Sequence, residues 1–251
     1  MLRIITWNIA CLPNKINFFR NPNKKINSII DKILELNANI ICLQEVFDYN
    51  ILHKVRKELE TQNYNTHTSK KEGIISKNGL LTACKNDILD TEEIDFSMYT
   101  GAEYLIKKGI ITSKINYKSH EILIHNTHLQ SNSIYTLDDI CCSVRQKQKN
   151  EMFSYLKNEK NKLNIIAGDL NDDFNTLEHY LFLQKLPFDE YLTNYEKLLT
   201  FPKYKEQLDY IIINKKLNAN YWIENTFENK LSDHNILGLD LDFTNIENLS
   251  F

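Results

Sequence analysis

Six apolar stretches of this chain each break into a polar residue able to do acid–base or metal chemistry. Ile4-Ile5-Thr6-Trp7 runs into Asn8, Ile40-Ile41-Cys42-Leu43-Gln44 into Glu45, and Ile122-Leu123-Ile124-His125-Asn126-Thr127 into His128. Asn164-Ile165-Ile166-Ala167-Gly168 runs into Asp169, with Asn171 two positions on. Gln207-Leu208 carries Asp209 into Tyr210-Ile211-Ile212-Ile213, and Leu231-Ser232 carries Asp233 and His234 into Asn235-Ile236-Leu237. Short β-branched runs of this kind read as core strands. A core strand that ends in a carboxylate or an imidazole sets that group on the rim of a sheet, which is a rigid platform for chemistry. One such ending alone is usually a turn residue or helix cap. Six in one chain point to a shared site.

The segments between these strands are helical in pattern. Ile26, Ile29, Ile30, Ile33 and Leu34 follow Pro22 at helical spacing, a second helix is expected over 48–60, and a third over 143–158 with Met152, Phe153 and Leu156 inward. A fourth is expected over 176–186. Further strands are expected over 2–9, 40–43, 80–84, 110–115, 122–126, 163–168, 208–213 and 236–241. Strands at both ends and in the middle, with helices between, predict an α/β layered sandwich. A doubly wound parallel sheet is disfavoured, because the strands are irregularly linked and the glycine fingerprint is absent. The 251 residues, 42% apolar, are enough for a sizeable core. Six glycines and four prolines leave no flexible joint, so one domain spanning 1–251 is the expectation.

Charge and cysteine usage narrow the class. Thirty basic against 33 acidic side chains give a net of −3, without the basic excess usual in proteins that grip long nucleic acid. The five cysteines, Cys11, Cys42, Cys84, Cys141 and Cys142, form no Cys-x-x-Cys pair and read as free thiols of a reducing compartment. The first ten residues read as a strand and not as a secretory signal, and no apolar run approaches the roughly 20 residues of a membrane span. An intracellular, cytoplasmic monomer is expected.

The order Trp7-Asn8, Gln44-Glu45, Thr127-His128-Leu129, Gly168-Asp169-Leu170-Asn171, Leu208-Asp209-Tyr210 and Ser232-Asp233-His234 resembles the endonuclease/exonuclease/phosphatase superfamily. The likeness runs from the first strand nearly to the last. It implies a four-layer α/β/β/α sandwich of two packed mixed sheets flanked by helices, and a metal-dependent phosphodiesterase site at one end. Under that resemblance Glu45 is the leading ligand for Mg²⁺, with Mn²⁺ as the alternative. Asn8 holds Glu45 or the hydrated ion, and Asp233 contributes directly or through water. A hard ion of this kind prefers a few carboxylates, waters and substrate oxygens. Zinc is disfavoured by the absence of zinc-type Cys and His spacing.

His234 is the expected general base, since an imidazole titrates near neutrality. Asp209 orients it. Adjacent Asp233 and His234 cannot make the best pair with each other, so a partner from another strand is reasonable. His128 donates to a phosphate oxygen, and Asp169 and Asn171 position the water or assist the leaving group. The division of labour between Asp169 and His234 stays open.

Within the superfamily the chain looks most like neutral, bacterial-type sphingomyelinases. The likeness rests on Leu43 to Asp48, Gly79 to Lys85, Lys108-Gly109-Ile110 with Thr112 and Lys114, and Thr127 to Gln130 followed by Ser143-Val144-Arg145 and Gln148. It implies phospholipase C-type cleavage of sphingomyelin or a related phospholipid, with peripheral membrane contact. Ile16, Phe18 and Phe19, flanked by Lys15 and Arg20, and the pair Ile134 and Tyr135 are candidates for that contact. The chain departs from the sphingomyelinase pattern in three places: no export signal, a short stretch over 172–207 where some members carry an apolar hairpin, and Asn235 after His234. The alternatives are a nuclease or nucleotide phosphodiesterase with Lys70, Lys71, Lys77, Lys107 and Lys108 lining a basic groove, and an inactive lipid- or protein-binding module.

Overall fold

The architecture was taken from a computed structural model, which describes residues 1–11, 22–69, 71–72, 75–132 and 136–243. Two mixed sheets are stacked face to face. The first has six strands in the order β12-β13-β1-β2-β6-β3: Ala219–Glu224, Ile236–Leu241, Leu2–Cys11, Ile40–Val46, Leu81–Cys84 and Asn65–Thr68. The second has five, β11-β10-β9-β8-β7: Asp209–Ile213, Leu163–Asp169, His120–His128, Gly109–Tyr117 and Ile88–Asp95. A two-residue ladder pairs β4 (Lys71–Glu72) with β5 (Ile75–Ser76).

Three apolar clusters separate four layers. Ile26, Ile29 and Ile33 of α1 (Pro22–Glu35) and Ile51, Val55 and Leu59 of α2 (Tyr49–Thr61) pack on the outer face of the six-stranded sheet, against Ile5, Trp7 and Leu43. Leu2, Ile4, Ile40, Leu237 and Leu239 meet Ile122, Ile124, Ile165 and Ile211 between the sheets. Met152 and Leu156 of α3 (Asp138–Glu159) and Phe182 of α4 (Leu177–Lys185) cover Ile110, Ile166 and Ile212 on the far side. Strands buried on both faces explain why the sequence reads as continuous Ile and Leu runs and not as alternation. The layered α/β sandwich expected from the sequence is what is found.

The strand pairings carry the polar endings to one edge. In the central parallel pair of each sheet, Asn8 lies opposite Gln44, one residue before Glu45, and Asp169 opposite His128. Asp169 also faces Asp209 across the antiparallel pair with β11. Helix starts follow expectation: Asp48 caps α2 by accepting from the Asn50 and Ile51 amides, and Thr176 caps α4 through the His179 amide. Helix α3 begins earlier than expected, at Asp138, where two carboxylates favour the first turn. Strands β3, β7 and β12 were not anticipated.

Candidate active site

All eight residues expected at the site come together at one end of the sandwich. Seven of them, Asn8, Glu45, His128, Asp169, Asn171, Asp233 and His234, line a groove of about 540 Å³. The eighth, Asp209, lies fully buried behind His234.

Asn8 ties the two sheets. Its amide nitrogen donates to Glu45 Oε1 at 3.1 Å and to Asp169 Oδ2 at 3.0 Å, while its Oδ1 accepts from the Ala10 amide. Ala10 has φ of 49°, and the β1–β2 register shifts between Asn8 and Cys11, so the strand bends where Asn8 must turn toward the groove. Two site residues are themselves in the left-handed region: Glu45 at φ 57° and Asn171 at φ 52°. For glutamate that conformation costs roughly 1–3 kcal/mol, a cost typical of functional positions.

His234 is held on every side. Its Nδ1 lies 2.8 Å from Asp209 Oδ2, which leaves Nε2 3.8 Å from Asp169 Oδ2. Its carbonyl accepts from Trp7 Nε1 at 3.0 Å and Thr226 Oγ1 at 2.6 Å, and Phe201 lies against the ring, with centroids 4.7 Å apart. Ser232 accepts from the His234 amide and donates to the Asn8 carbonyl at 2.7 Å. Asp209 lies on β11, so the pairing partner does come from another strand.

The electrostatics follow from burial of several like charges. Burial alone would lower His234, but Asp209, Asp169 and Asp233 outweigh it and raise the imidazole to about 10. Burial, then Asp209, pushes Asp169 up to about 7, against His234, Asn8 and Lys108. Glu45 is raised by burial and then by the charge on Asp233. His128 is held well below the usual imidazole range by burial, Lys108 and His234, so it is neutral and able to donate. Positive charge placed beside Glu45 and Asp233 would move His234 and Asp169 downward, towards a His234 that can give up its proton.

The donor set fits a hard divalent cation. Glu45 and Asp233 are carboxylates at the groove whose like charges disfavour one another, and an ion between them removes that penalty. A second grouping, Asp169, Asp209 and His234, has ligand-type atoms within 4.8 Å of one another, but Asp209 and the His234 Nδ1 atom are already paired.

Lys108 is buried beneath the site and donates to the Leu129 carbonyl, with Glu103 as counter-charge at 2.9 Å. The same carbonyl accepts from Asn171 Nδ2 at 3.0 Å. Lys77 is spent on Glu93 and Asp95 at 3.1 and 2.7 Å. Neither lysine lines the groove, and Lys70 and the side chain of Lys71 lie outside the described residues. The groove is acidic. Beyond Glu45, Asp169 and Asp233 it is lined by Asp138, Asp172, Asp173, Glu178 and Glu206, of which Asp172 is paired with Lys149 at 2.6 Å, Asp173 with Lys197 at 2.7 Å and Glu178 with Arg145 at 2.8 Å.

Three contributors escaped sequence reasoning. Gln44 donates to Asn126 Oδ1 at 2.8 Å across the sheet interface, and the Asn126 amide reaches the Leu43 and Leu81 carbonyls. Thr200 accepts from the Leu208 and Asp209 amides and so fixes the start of β11. Phe201 sits against His234. Only the first had a signal: Gln44 precedes Glu45, and Asn126 is one strand period before His128.

The chain is thus a two-sheet α/β sandwich with a paired His–Asp couple and facing carboxylates at one end. The profile of the Endonuclease/Exonuclease/phosphatase family matches residues 5–234, and the chain belongs to that family. It is 24% identical over 196 residues to sphingomyelinase C of Bacillus cereus, covering 68% of this chain and 56% of that protein. It is 29% identical over 159 residues to an uncharacterised calcium-binding protein of Arabidopsis thaliana, covering 57% of this chain. The chain thus spans 32% to 56% of the length of these curated relatives.

Among solved structures, Staphylococcus aureus beta toxin superposes with a TM-score of 0.82 at 17% identity, over 96% of this chain and 100% of that one. A beta toxin mutant with bound magnesium ions gives 0.79 at 18%, over 95% and 98%. A humanized D. rerio TDP2 gives 0.73 at 16%, over 96% and 98%. These likenesses establish the shared fold.

Proposed function

We propose that the chain is a Mg²⁺-dependent phosphodiesterase that cleaves a phospholipid, sphingomyelin or a close relative, on the lipid-alcohol side of the phosphodiester, so that phosphocholine leaves. The observation that carries the hydrolytic part is the cross-sheet constellation: His234 held by Asp209 at 2.8 Å, facing Asp169, with Glu45 and Asp233 beside them. Glu45 and Asp233 would hold the ion, with Asn8 fixing Glu45. A divalent cation there supplies charge neutralisation for the phosphate.

The remaining steps belong to side chains. Water adds to phosphorus as the bond to the bridging oxygen of the lipid alcohol breaks. His234 Nε2 takes the proton of the attacking water, and Asp209 stabilises the resulting imidazolium. Asp169, which accepts from Asn8 and faces His234 Nε2 at 3.8 Å, positions the attacking water, and the departing oxygen takes its proton from solvent. Neutral His128 donates to a non-bridging phosphate oxygen.

The acidity of the groove supports a lipid over a nucleic acid. A polyanion needs unpaired lysines and arginines along its path, and here Arg145, Lys77 and Lys108 are each committed to carboxylates. A zwitterionic headgroup brings its own cation and so asks for fewer basic partners from the groove. The likeness to sphingomyelinase C of Bacillus cereus points the same way. Residues 12–21 and 133–135, which hold the expected membrane-contact residues, lie outside the described residues.

The test is Mg²⁺-dependent release of phosphocholine from sphingomyelin in mixed micelles, beside single- and double-stranded DNA and RNA, with His234→Ala as control. Release that is lost in the variant supports the reading. Cleavage of nucleic acid without lipid turnover moves the chain to the nuclease branch. Metal binding without turnover of any diester leaves a binding module.

A further inference from the structure

The catalytic groove opens between two helix starts that carry apolar side chains into solvent. On α4, Leu177, Tyr180 and Leu181 stand at i, i+3 and i+4 and are 71%, 59% and 38% exposed. They form one outer face, while His179 and Phe182 fill the inner one. On the first turn of α3 and the residue before it, Leu137 and Ile140 are 73% and 46% exposed. The start of α4 is tied to the body of α3: Arg145 grips Glu178 through Nε and Nη2 at 2.8 and 2.9 Å, and Lys149 adds 2.8 Å to the same carboxylate.

This face is continuous with the groove. Asp138 and Glu178, the immediate neighbours of Leu137 and Leu177, line it, as does Tyr204, which is 59% exposed. An apolar helix face turned to water beside an active site marks a place where something apolar is met. Charge says what kind. Residues 136–144 and 177–184 contain no lysine or arginine, and Asp138 and Asp139 stand among the apolar residues. With Lys185, Lys203 and Lys205 only at its margins and Arg145 paired with Glu178, such a surface offers little to anionic lipid or nucleic acid, which need basic side chains nearby. No described helix is long and apolar enough to cross a membrane, so contact here would be at the surface.

We propose that the α3–α4 rim, Leu137, Ile140, Leu177, Tyr180 and Leu181, is the surface by which this chain rests on a zwitterionic lipid layer. The proposal rests on the lipid-diester reading above. A lipid whose phosphodiester lies in the groove must leave its hydrocarbon tails outside, and the rim offers the apolar path where they exit. Leu177 and Leu181 enter the acyl boundary, and Tyr180 sits at headgroup level, where an aromatic ring with one polar end is stable.

The test separates binding from turnover. Wild type, a Leu177→Ser/Tyr180→Ser/Leu181→Ser variant and, on the other helix, a Leu137→Ser/Ile140→Ser variant are co-sedimented in EDTA with sphingomyelin–phosphatidylcholine vesicles, with and without phosphatidylserine. In parallel, Mg²⁺-dependent hydrolysis of the soluble diester bis(p-nitrophenyl) phosphate is followed. The expected result is a fall in vesicle partition of about tenfold or more for each variant, with soluble-diester hydrolysis kept within about twofold. Phosphatidylserine should not strengthen wild-type binding. Unchanged partition in both variants overturns the proposal. So does binding that needs phosphatidylserine, or a wild-type dimer that the variants split, which would make the face an interface between copies. If the rim variants lose vesicle binding but wild type never cleaves sphingomyelin, the rim stands and the substrate reading falls.

Discussion

The Nδ1 atom of His234 lies 2.8 Å from Oδ2 of Asp209, a residue with no exposed surface, on a strand of the opposite sheet. The contact fixes which ring nitrogen faces the groove, and it places the negative charge where a proton arriving on Nε2 is best stabilised. Asp209→Asn should keep the fold and lower kcat by about 10²–10⁴-fold, with a smaller change in KM. Because both residues serve one proton transfer, His234→Ala/Asp209→Asn should be scarcely slower than the slower single variant. Multiplying losses in a double-mutant cycle would show the two to act separately.

Glu45 combines left-handed backbone, a half-buried carboxylate and a like-charged neighbour, and a cation bound beside it would relieve the charge repulsion. Glu45→Gln keeps the shape and removes the charge. It should raise the Mg²⁺ concentration for half-maximal activity by at least about tenfold, or abolish activity altogether. Direct binding of Mn²⁺, followed by electron paramagnetic resonance, gives the same readout without turnover. An unaltered titration in both assays would exclude Glu45 as a ligand.

Gly168 has φ of 151°, and a Cβ there would lie 1.9 Å from the Thr127 carbonyl oxygen. Neither strand can retreat without moving Asp169 or His128, which pair in register beside it. Gly168→Ala should therefore cost on the order of 2–4 kcal/mol and depress activity more than stability alone explains. Denaturant unfolding with kinetics on the folded fraction checks both, and full activity in the folded fraction would contradict the argument.

His125 is buried between β8 and α3, bonded to Thr112 and Asn164, and burial lowers it to about 4. The unfolded chain binds that proton at higher pH than the folded one. The neutral ring therefore contributes its stability above about pH 6.5, and this is lost as pH falls towards 4, on the order of 3 kcal/mol in all. His125→Gln should flatten that part of the stability–pH curve. A variant curve parallel to wild type between pH 4 and 6.5 would show that other groups dominate.

The strands that carry the site were readable because each is buried on both faces and so is written in isoleucine and leucine. Three of the four edge strands, β3, β7 and β12, were not. Ile88–Asp95 is largely exposed and reads Ile-Leu-Asp-Thr-Glu-Glu-Ile-Asp, and Ala219–Glu224 is half-exposed, so neither carries an apolar run. The site residues were legible one by one at strand ends, whereas their mutual contacts were not, because pairing register and sheet stacking decide them. The Gln44–Asn126 bond shows the limit: two amides inside apolar strands, with meaning only once the sheets face each other.

The working parts are divided between the sheets. Asn8, Glu45, Asp233 and His234 belong to the six-stranded sheet or the turn that enters it, while His128, Asp169 and Asp209 belong to the five-stranded one. The reacting centre is therefore a vernier for the seam. A slide or rotation of one sheet over the other of a few tenths of an ångström, far from any substrate, changes the Asn8–Asp169 and His234–Asp209 spacings directly. Substitutions at Ile124 or Leu237, deep between the sheets, then become a way to tune turnover without touching a polar atom, and the packing of the seam becomes part of the catalyst.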